Sequence, residues 1–160
     1  MSISDFDRRC FDEAVNLTLD AEGKGNLPIG AVISLGGKII ARGQNAIWTP
    51  NLSLSRHAEM EALTAIPGVL KERTPEMTLY TTLEPCLMCF GAILLHQIGR
   101  VLFGSEDGFG GASTVIRSMP PFFTNRYSAI KWSGPAYPEV CDPLYERIKS
   151  LENMKIIGMD

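Results

Sequence analysis

Apolar residues recur at two different spacings in the first part of the chain, and each spacing predicts a different element. In residues 5 to about 22 they return every three or four positions, which is typical of an amphipathic helix with Asp5 as its N-cap. Residues 29–35 and 38–43 are rich in β-formers, and the Gly36-Gly37 pair between them fits a two-residue turn. The pattern therefore predicts a helix followed by an antiparallel hairpin.

A loop and a second helix follow the hairpin. Residues 44–54 are polar and interrupted by proline, and a helix is predicted from residue 55 or 56 to about residue 66. This helix would hold His57 and Glu59 in its first turn. Beyond the breaker Pro67-Gly68 and a polar stretch, residues 77–83 alternate well enough to predict a third strand.

Pro85 stands at a natural first position for a third helix, which would run to about Gln97. The short apolar stretch 100–104 is predicted as a strand, and the strand, helix, strand order implies a right-handed parallel crossover. Residues 105–138 are rich in glycine and proline. This segment is longer than a simple loop between two elements, so we expect it to be functional or irregularly packed. A last helix is predicted from about Glu139 to Glu152.

Length and composition indicate one domain spanning residues 1–160. Hydrophobic residues make up 45% and charged residues 21% of the chain, which is ordinary for a globular protein. The formal net charge of -3 weakens a nucleic-acid function, because a polyanion would meet a repulsive average field. The chain has no run of 18 apolar residues, and its N-terminus is unlike a secretory signal. We therefore expect a cytoplasmic protein without a membrane partner.

The candidate chemistry lies in two short segments. The segment SRHAEMEAL contains His57 and Glu59, and the segment TTLEPCLMCFGA contains Cys86 and Cys89, which share one face of a helix that begins at Pro85. Zinc readily takes one nitrogen and two thiolates and keeps a fourth position open for water. We expect one catalytic zinc per chain on His57, Cys86 and Cys89, with a zinc-bound hydroxide as nucleophile and Glu59 moving the protons.

Taken singly, these residues have less specific interpretations. A lone C-x-x-C is more often a structural zinc half-site or a redox pair, and Cys10 or Cys141 could supply a fourth ligand. His57 alone is typical of a satisfied helix histidine, and Glu59 alone of a solvated carboxylate. A non-catalytic, zinc-stabilised binding module is therefore the alternative from another class. It predicts a fourth protein ligand.

The two segments together, H-x-E followed by P-C-x-x-C, form the signature of zinc nucleobase deaminases. The chain resembles the cytidine deaminase-like superfamily, in the branch with tRNA adenosine deaminases, guanine deaminases and cytosine deaminases. The resemblance covers residues 25 to about 113, and the chain diverges from about residue 114. It is carried by the segments PIGAVISLGG, GQN, RHAEMEAL, LYTTLEPCLMCFGAILLHQIGRVLFG and 107–113.

This resemblance implies a three-layer α/β/α fold around a five-stranded mixed sheet, with the two zinc-binding helices side by side. It also implies a homodimer in which the neighbour helps to complete the site. For Asn45, which the resemblance places against the sugar or base of the substrate, a turn residue at the end of the hairpin is the alternative. The residues it assigns to substrate binding are Asn45, Ile29, Ala58, Pro85 and Asp107.

Two substrate classes remain open from the sequence. Glu106 stands where the tRNA branch tends to carry a basic residue, and the last predicted helix has more acidic than basic residues. Because phosphate neutralisation supplies much of the affinity for RNA, these departures favour a small nucleobase or nucleoside such as guanine, cytosine or adenine. Adenosine-to-inosine deamination at the wobble position of tRNA is the alternative.

Overall fold

The computed structural model describes residues 2–151, in which five strands form one mixed sheet in the order β2-β1-β3-β4-β5. Short 3₁₀ segments occupy Gly68–Glu76, Ala112–Thr114 and Ile116–Ser118. The strands are β1 (Gly30–Leu35), β2 (Lys38–Gln44), β3 (Thr78–Leu83), β4 (Arg100–Ser105) and β5 (Lys131–Ser133). The helices are α1 (Asp5–Gly23), α2 (Ala58–Thr64), α3 (Leu87–His96), α4 (Pro121–Tyr127) and α5 (Pro138–Lys149).

The hairpin and the parallel crossover are confirmed. Gly36 and Gly37 adopt φ values of 57° and 76°, which suit a tight turn between antiparallel β1 and β2. Strand β3 pairs antiparallel with β1 and parallel with β4, and β4 pairs parallel with β5. The five-stranded mixed sheet therefore agrees with the predicted fold class.

Alternate residues of the central strands face opposite layers of helices. Val32 and Tyr80 pack with Phe11 of α1, whereas Ile33 and Leu79 pack with Ala62 of α2 in a separate cluster. Helices α2 and α3 contact each other, so the two helices that follow the candidate ligands lie side by side. The result is the expected α/β/α arrangement.

A glycine allows α2 to lie unusually close to the edge strand. A Cβ atom at Gly43 in β2 would overlap the carbonyl oxygen of Ala58, the first residue of α2. The absence of a side chain at Gly43 therefore brings the start of this helix, and with it His57 and Glu59, onto the sheet.

Three predicted helix boundaries are wrong by a few residues. Helix α1 is capped by Ser4 rather than Asp5, because the Ser4 hydroxyl accepts from the Asp7 amide and the Asp7 carboxylate accepts from the Ser4 amide. Helix α2 begins at Ala58, so His57 is its N-cap and not part of its first turn. Pro85 lies before α3, whose N-cap is Cys86 in an extended conformation.

The C-terminal third contains elements that the pattern did not predict. Helix α4 and the three-residue strand β5 lie within the stretch expected to be irregular. Helix α5 begins at Pro138 and ends at Lys149 with Ser150 as its C-cap, so it stops short of the predicted end at Glu152, a residue outside the described range. No helix within residues 2–151 is both long and apolar enough to span a bilayer.

Candidate active site

The candidate metal ligands come from the starts of two neighbouring helices. His57 is the N-cap of α2, Cys86 is the N-cap of α3, and Cys89 lies in the first turn of α3. Their donor atoms lie within 4.8 Å of one another. His57 Nδ1 is 3.6 Å from Cys86 Sγ and 3.5 Å from Cys89 Sγ. Both C-x-x-C sulfurs therefore face the imidazole, as the sequence predicted.

These distances fit a tetrahedral zinc ion. Zinc–nitrogen bonds of about 2.0 Å and zinc–sulfur bonds of about 2.3 Å place nitrogen and sulfur about 3.5 Å apart at the tetrahedral angle. Within residues 2–151, no fourth His, Cys, Asp or Glu joins the cluster. Cys10 and Cys141, the other candidate ligands, are buried in the core between the sheet and α1. A zinc ion on these three residues would keep one coordination position for a non-protein ligand.

The thiols of Cys86 and Cys89 shift each other's pKa in opposite directions, because Cys89 donates a hydrogen bond that favours the thiolate of Cys86. This bond from Cys89 lowers the pKa of Cys86 to about 4 in spite of its burial, and His57 adds to the effect. The same bond, together with burial, raises the pKa of Cys89 well above its usual range. Burial lowers the pKa of His57, but the hydrogen bond with Cys86 and the charge of Glu59 outweigh it and raise this pKa overall. Of the two sulfurs, Cys86 is therefore the one that loses its proton more readily.

Glu59 lies behind the three donor atoms and is only 3% exposed. Its Oε1 accepts a hydrogen bond from Thr81 Oγ1 at 3.2 Å, and its Oε2 lies 3.5 Å from Cys89 Sγ. Burial raises the pKa of this carboxyl, although the nearby His57 opposes the shift. The arrangement holds a carboxyl group of raised basicity close to the candidate metal position.

A cavity of about 260 Å³ opens onto these groups. His57, Glu59 and Cys86 form its polar end. Glu84, Asp107, Phe109, Gly110 and Tyr145 contribute to the rest of the lining. Its apolar wall comes from Leu27, Ile29, Ile47, Leu54, Leu83 and Ile148.

The five residues expected to bind substrate do not all reach the cavity. Ile29 and Asp107 line the cavity, whereas Asn45, Ala58 and Pro85 are not among its lining residues. Ala58 is fully buried at the start of α2, and the Pro85 carbonyl accepts from the Ala112 amide at 3.0 Å.

Asn45 is fully buried directly behind the cavity wall. Its backbone amide donates to the Ile29 carbonyl, and its side-chain Oδ1 accepts from the Ile47 backbone amide at 3.3 Å. Its Nδ2 has no hydrogen-bond partner within residues 2–151. Ile29 and Ile47, the two residues that Asn45 contacts through these bonds, both line the cavity.

Glu84, which no sequence pattern singled out, holds the loop that carries Asp107. Its carboxylate is 3% exposed and accepts from the amides of Asp107 at 3.0 Å and Ser113 at 2.9 Å. A Cβ atom at Gly111 would overlap this carboxylate, so the loop passes too close for a larger residue. The sequence signal was weak, because only the position of Glu84 between a strand and the Pro85-Cys86 pair sets it apart.

Helix α5 also contributes to the cavity, through Tyr145 and Ile148. Neither residue was selected from the sequence, because the divergent C-terminal third offered many aromatic and apolar residues without a distinguishing pattern. Only the packing of α5 beside β4 shows which of them reach the site.

The geometry can be set beside known proteins. Residues 4–105 match the family described as the cytidine and deoxycytidylate deaminase zinc-binding region. A tRNA-specific adenosine deaminase of Bacillus subtilis is 42% identical over 108 residues, which are 67% of this chain and 66% of that protein. The match thus spans just under two thirds of that relative's length. A tRNA-specific adenosine deaminase of Agrobacterium fabrum is 41% identical over 122 residues, covering 74% of this chain and 78% of that protein.

Solved structures share the fold. A structure from work on tRNA:A34 deaminases superposes with a TM-score of 0.72 at 28% identity, covering 86% of this chain and 99% of that one. The guanine deaminase of Nitrosomonas europaea superposes with a TM-score of 0.68 at 18% identity, covering 91% of this chain and 85% of that one. The second likeness concerns the fold alone.

Proposed function

The chain belongs to the cytidine and deoxycytidylate deaminase zinc-binding family, and on this premise we propose that it removes an amino group hydrolytically from a small nucleobase or nucleoside. The observation that carries the proposal is the three-ligand cluster, which has no fourth protein ligand within residues 2–151 and meets buried Glu59 at the polar end of a cavity. A structural zinc site would surround the ion with protein ligands. This one leaves room for a reactant.

The proposed reaction consumes one water and releases ammonia. Zinc held by His57, Cys86 and Cys89 would lower the pKa of a water ligand towards neutrality. Glu59 accepts a proton as the water oxygen bonds to the ring carbon, and returns it to the departing amino group as the carbon–nitrogen bond breaks. Thr81 donates a hydrogen bond to Oε1 of Glu59. This bond keeps the other oxygen, Oε2, directed towards the ligand cluster.

Substrate contacts are assigned to the five residues expected from the sequence. Ile29 supplies apolar wall, and Asp107 supplies an acceptor at the side of the cavity. Asn45 donates from its unpaired Nδ2 to an acceptor on the base or sugar once the wall adjusts, since an unpaired buried donor is costly. Ala58 and Pro85 lie next to the ligands His57 and Cys86 and support the two helix starts from outside the cavity lining.

Charge favours a small substrate. Among residues 2–151, neither Lys nor Arg lines the cavity, and Glu106 is exposed beside Asp107. The chain as a whole has a net charge of -3. An RNA substrate needs cationic contacts with its phosphates, whereas a free base needs only a small, largely apolar pocket with a few polar groups. The cavity of about 260 Å³ suits such a ligand.

Deamination of adenosine at the wobble position of tRNA is the second candidate. Its support is the similarity to tRNA-specific adenosine deaminases at 41–42% identity. A base flipped out of a nucleic acid would occupy the same cavity as a free base. The two candidates therefore share the chemistry of Glu59 and the zinc ligands and differ in what lies outside the cavity.

We also propose that the chain forms a homodimer through α3. Helix α3 is apolar on most sides, and its residues Ile93 and Leu94 are fully buried within the chain. Leu87 and Leu95 are instead 63% and 54% exposed on this helix. Apolar side chains of this size on one helix are typical of an interface.

Ammonia release by the zinc-loaded protein tests the proposal. The panel contains guanine, cytosine, adenine, their nucleosides, and unmodified tRNA with adenosine at the wobble position. We expect turnover of at least one free base or nucleoside. Glu59→Gln should retain zinc but lower this turnover by about 10³-fold or more, because the proton carrier is lost.

Two outcomes would contradict the proposal in different ways. Turnover of tRNA alone would establish the second candidate. Equal behaviour of the parent protein and Glu59→Gln on every substrate, with zinc bound to both, would instead favour the non-catalytic binding module.

A further inference from the structure

A tyrosine on the C-terminal helix reaches into the proposed active site. Tyr145 in α5 donates a hydrogen bond of 2.5 Å from its phenol to Asp107 Oδ1, and both residues line the cavity. We propose that Tyr145 is a positioning residue that orients Asp107 to accept a hydrogen bond from an N–H or O–H group of the substrate. This inference rests on the proposed function and deepens it.

The two oxygens of Asp107 have different surroundings. Oδ1 accepts from Tyr145 and from the amides of Phe109 and Gly110, both at 3.0 Å. In the part of the chain that the structure describes, the hydrogen bonds to this carboxylate all go to Oδ1 and none goes to Oδ2. Because three donors already occupy Oδ1, the remaining acceptor capacity of this carboxylate belongs to Oδ2.

Gly110 leaves this free oxygen uncovered. A Cβ atom at Gly110 would lie 3.1 Å from Asp107 Oδ2, so the oxygen sits against the glycine backbone. Gly110 itself lines the cavity. Asp107 is only 7% exposed and lines the cavity, so a ligand that enters the cavity with a donor group meets this acceptor.

Both ends of the bond between Tyr145 and Asp107 belong to restrained elements. Glu84 holds the amides of Asp107 and Ser113, which fixes the path of the loop. Ser105, the last residue of β4, donates to Asp142 Oδ1 at 2.6 Å and ties α5 to the same end of the sheet. Tyr145 therefore adds a third donor to Oδ1, beside the Phe109 and Gly110 amides, and restrains the rotation of the Asp107 side chain on an already fixed backbone.

The other polar groups of the cavity define the ligand chemistry. Both Glu84 oxygens already accept backbone amides, and Glu59 belongs to the reacting centre. No Lys, Arg, Asn or Gln is among the lining residues found within 2–151. Away from the zinc ligands the cavity thus offers Asp107 Oδ2 as its acceptor. The matching donor is a ring or exocyclic N–H of the base, or a hydroxyl of its sugar.

The test compares two tyrosines that make the same kind of bond. Tyr145→Phe removes the phenol next to the cavity, whereas Tyr137→Phe removes a phenol that donates to Asp12 Oδ1 at 3.2 Å on the opposite face of the sheet. Both changes are made in zinc-loaded Glu59→Gln protein, so that binding is measured without turnover. Calorimetry gives Kd for each active base of the panel, its N-methylated analogues, its ribonucleoside and its 2′-deoxynucleoside.

We expect Tyr145→Phe to raise Kd about tenfold for ligands that carry the donor and less than twofold for the analogue that lacks it. Tyr137→Phe should change both by less than twofold. A difference confined to N-methylation assigns the donor to the base, and one confined to the 2′-position assigns it to the sugar. Asp107→Asn should raise the same Kd, and adding Tyr145→Phe to it should have little further effect.

The opposing results separate this inference from the proposed function. If the panel binds but Tyr145→Phe changes every Kd equally, or no more than Tyr137→Phe does, Tyr145 has no positioning role and the inference is overturned. If no base or nucleoside binds the zinc-loaded Glu59→Gln protein, the proposed function is wrong, and the inference that rests on it is wrong as well.

Discussion

At the scale of single residues, the candidate metal site depends on where helices α2 and α3 begin. His57 and Cys86 are N-caps with extended backbones, so their side chains project from the helix starts towards each other. Cys89 follows Cys86 by three positions and therefore joins it on one side of α3. Glu59 is two residues beyond His57 and faces the same cluster without belonging to it.

Loss of a single ligand should abolish zinc binding. With His57→Ala or Cys86→Ala, two donors remain, and we expect zinc to fall from about one per chain to less than about a tenth after dialysis. Elemental analysis of the purified protein measures this. Cys10→Ala is the matched control, because Cys10 is a buried cysteine outside the cluster, and it should keep one zinc per chain. Full zinc content in the His57 variant would contradict the ligand assignment.

At the scale of elements, α3 has two roles. Its buried side, including Phe90 and Leu94, packs against the region of α4 and β5, with the Phe90 ring centroid 5.0 Å from that of Trp132. Its start provides both cysteines. On its remaining side, Leu87 and Leu95 are exposed to solvent in a single chain. These exposed leucines are the basis for the proposed homodimer.

A charge on the exposed side of α3 should separate the dimer. We expect the parent protein to sediment as a dimer and Leu95→Glu as a monomer at the same micromolar concentration, because the glutamate would be buried without a partner. Leu19→Glu places the same charge on α1, where Leu19 is 46% exposed, and should leave the dimer intact. A monomeric parent protein, or equal effects of both variants, would rule out this interface.

At the scale of the whole molecule, Asp7 joins the N-terminal helix to the centre of the sheet. Its carboxylate accepts from Tyr80 of β3 and Arg100 of β4, each at 2.8 Å, and completes the cap with Ser4. Burial raises the pKa of this group, but the hydrogen bonds from Arg100, Ser4 and Tyr80 outweigh it and lower the pKa to about 2. The folded state therefore favours the charged form of Asp7.

This shift makes stability sensitive to acid. The pKa of Asp7 is depressed from 3.8 to about 2, so the stabilisation of about 2 kcal/mol is present above pH 4 and is lost as the pH falls towards 2. Asp7→Asn should lower the free energy of unfolding by about this amount at neutral pH and reduce the loss between pH 4 and pH 2.

Urea denaturation at several pH values, at equal zinc content, measures both effects. Asp5→Asn is the control, because Asp5 is exposed in the same first turn of α1. The interpretation fails if the two variants show the same stability at neutral pH and the same dependence on acid.

Local chemistry was enough to predict much of this protein. Gly36-Gly37 between two β-rich runs predicted the hairpin, because only glycine adopts positive φ there without strain. His57, Cys86 and Cys89 were selected by residue type and spacing, and the structure brings their donor atoms together. These features are encoded over a few neighbouring residues, or in motifs whose chemistry allows few alternatives.

Tertiary structure decided the features that depend on distant parts of the chain. The extended backbone of Cys86, which pairs with Gly111, delays the start of α3 beyond Pro85. Strand β5 is only three residues long and takes its place by pairing with β4. Tyr145 meets Asp107 across 38 positions in the sequence. No local pattern encodes such contacts, because they arise only when packing of α5 against the sheet brings the two segments together.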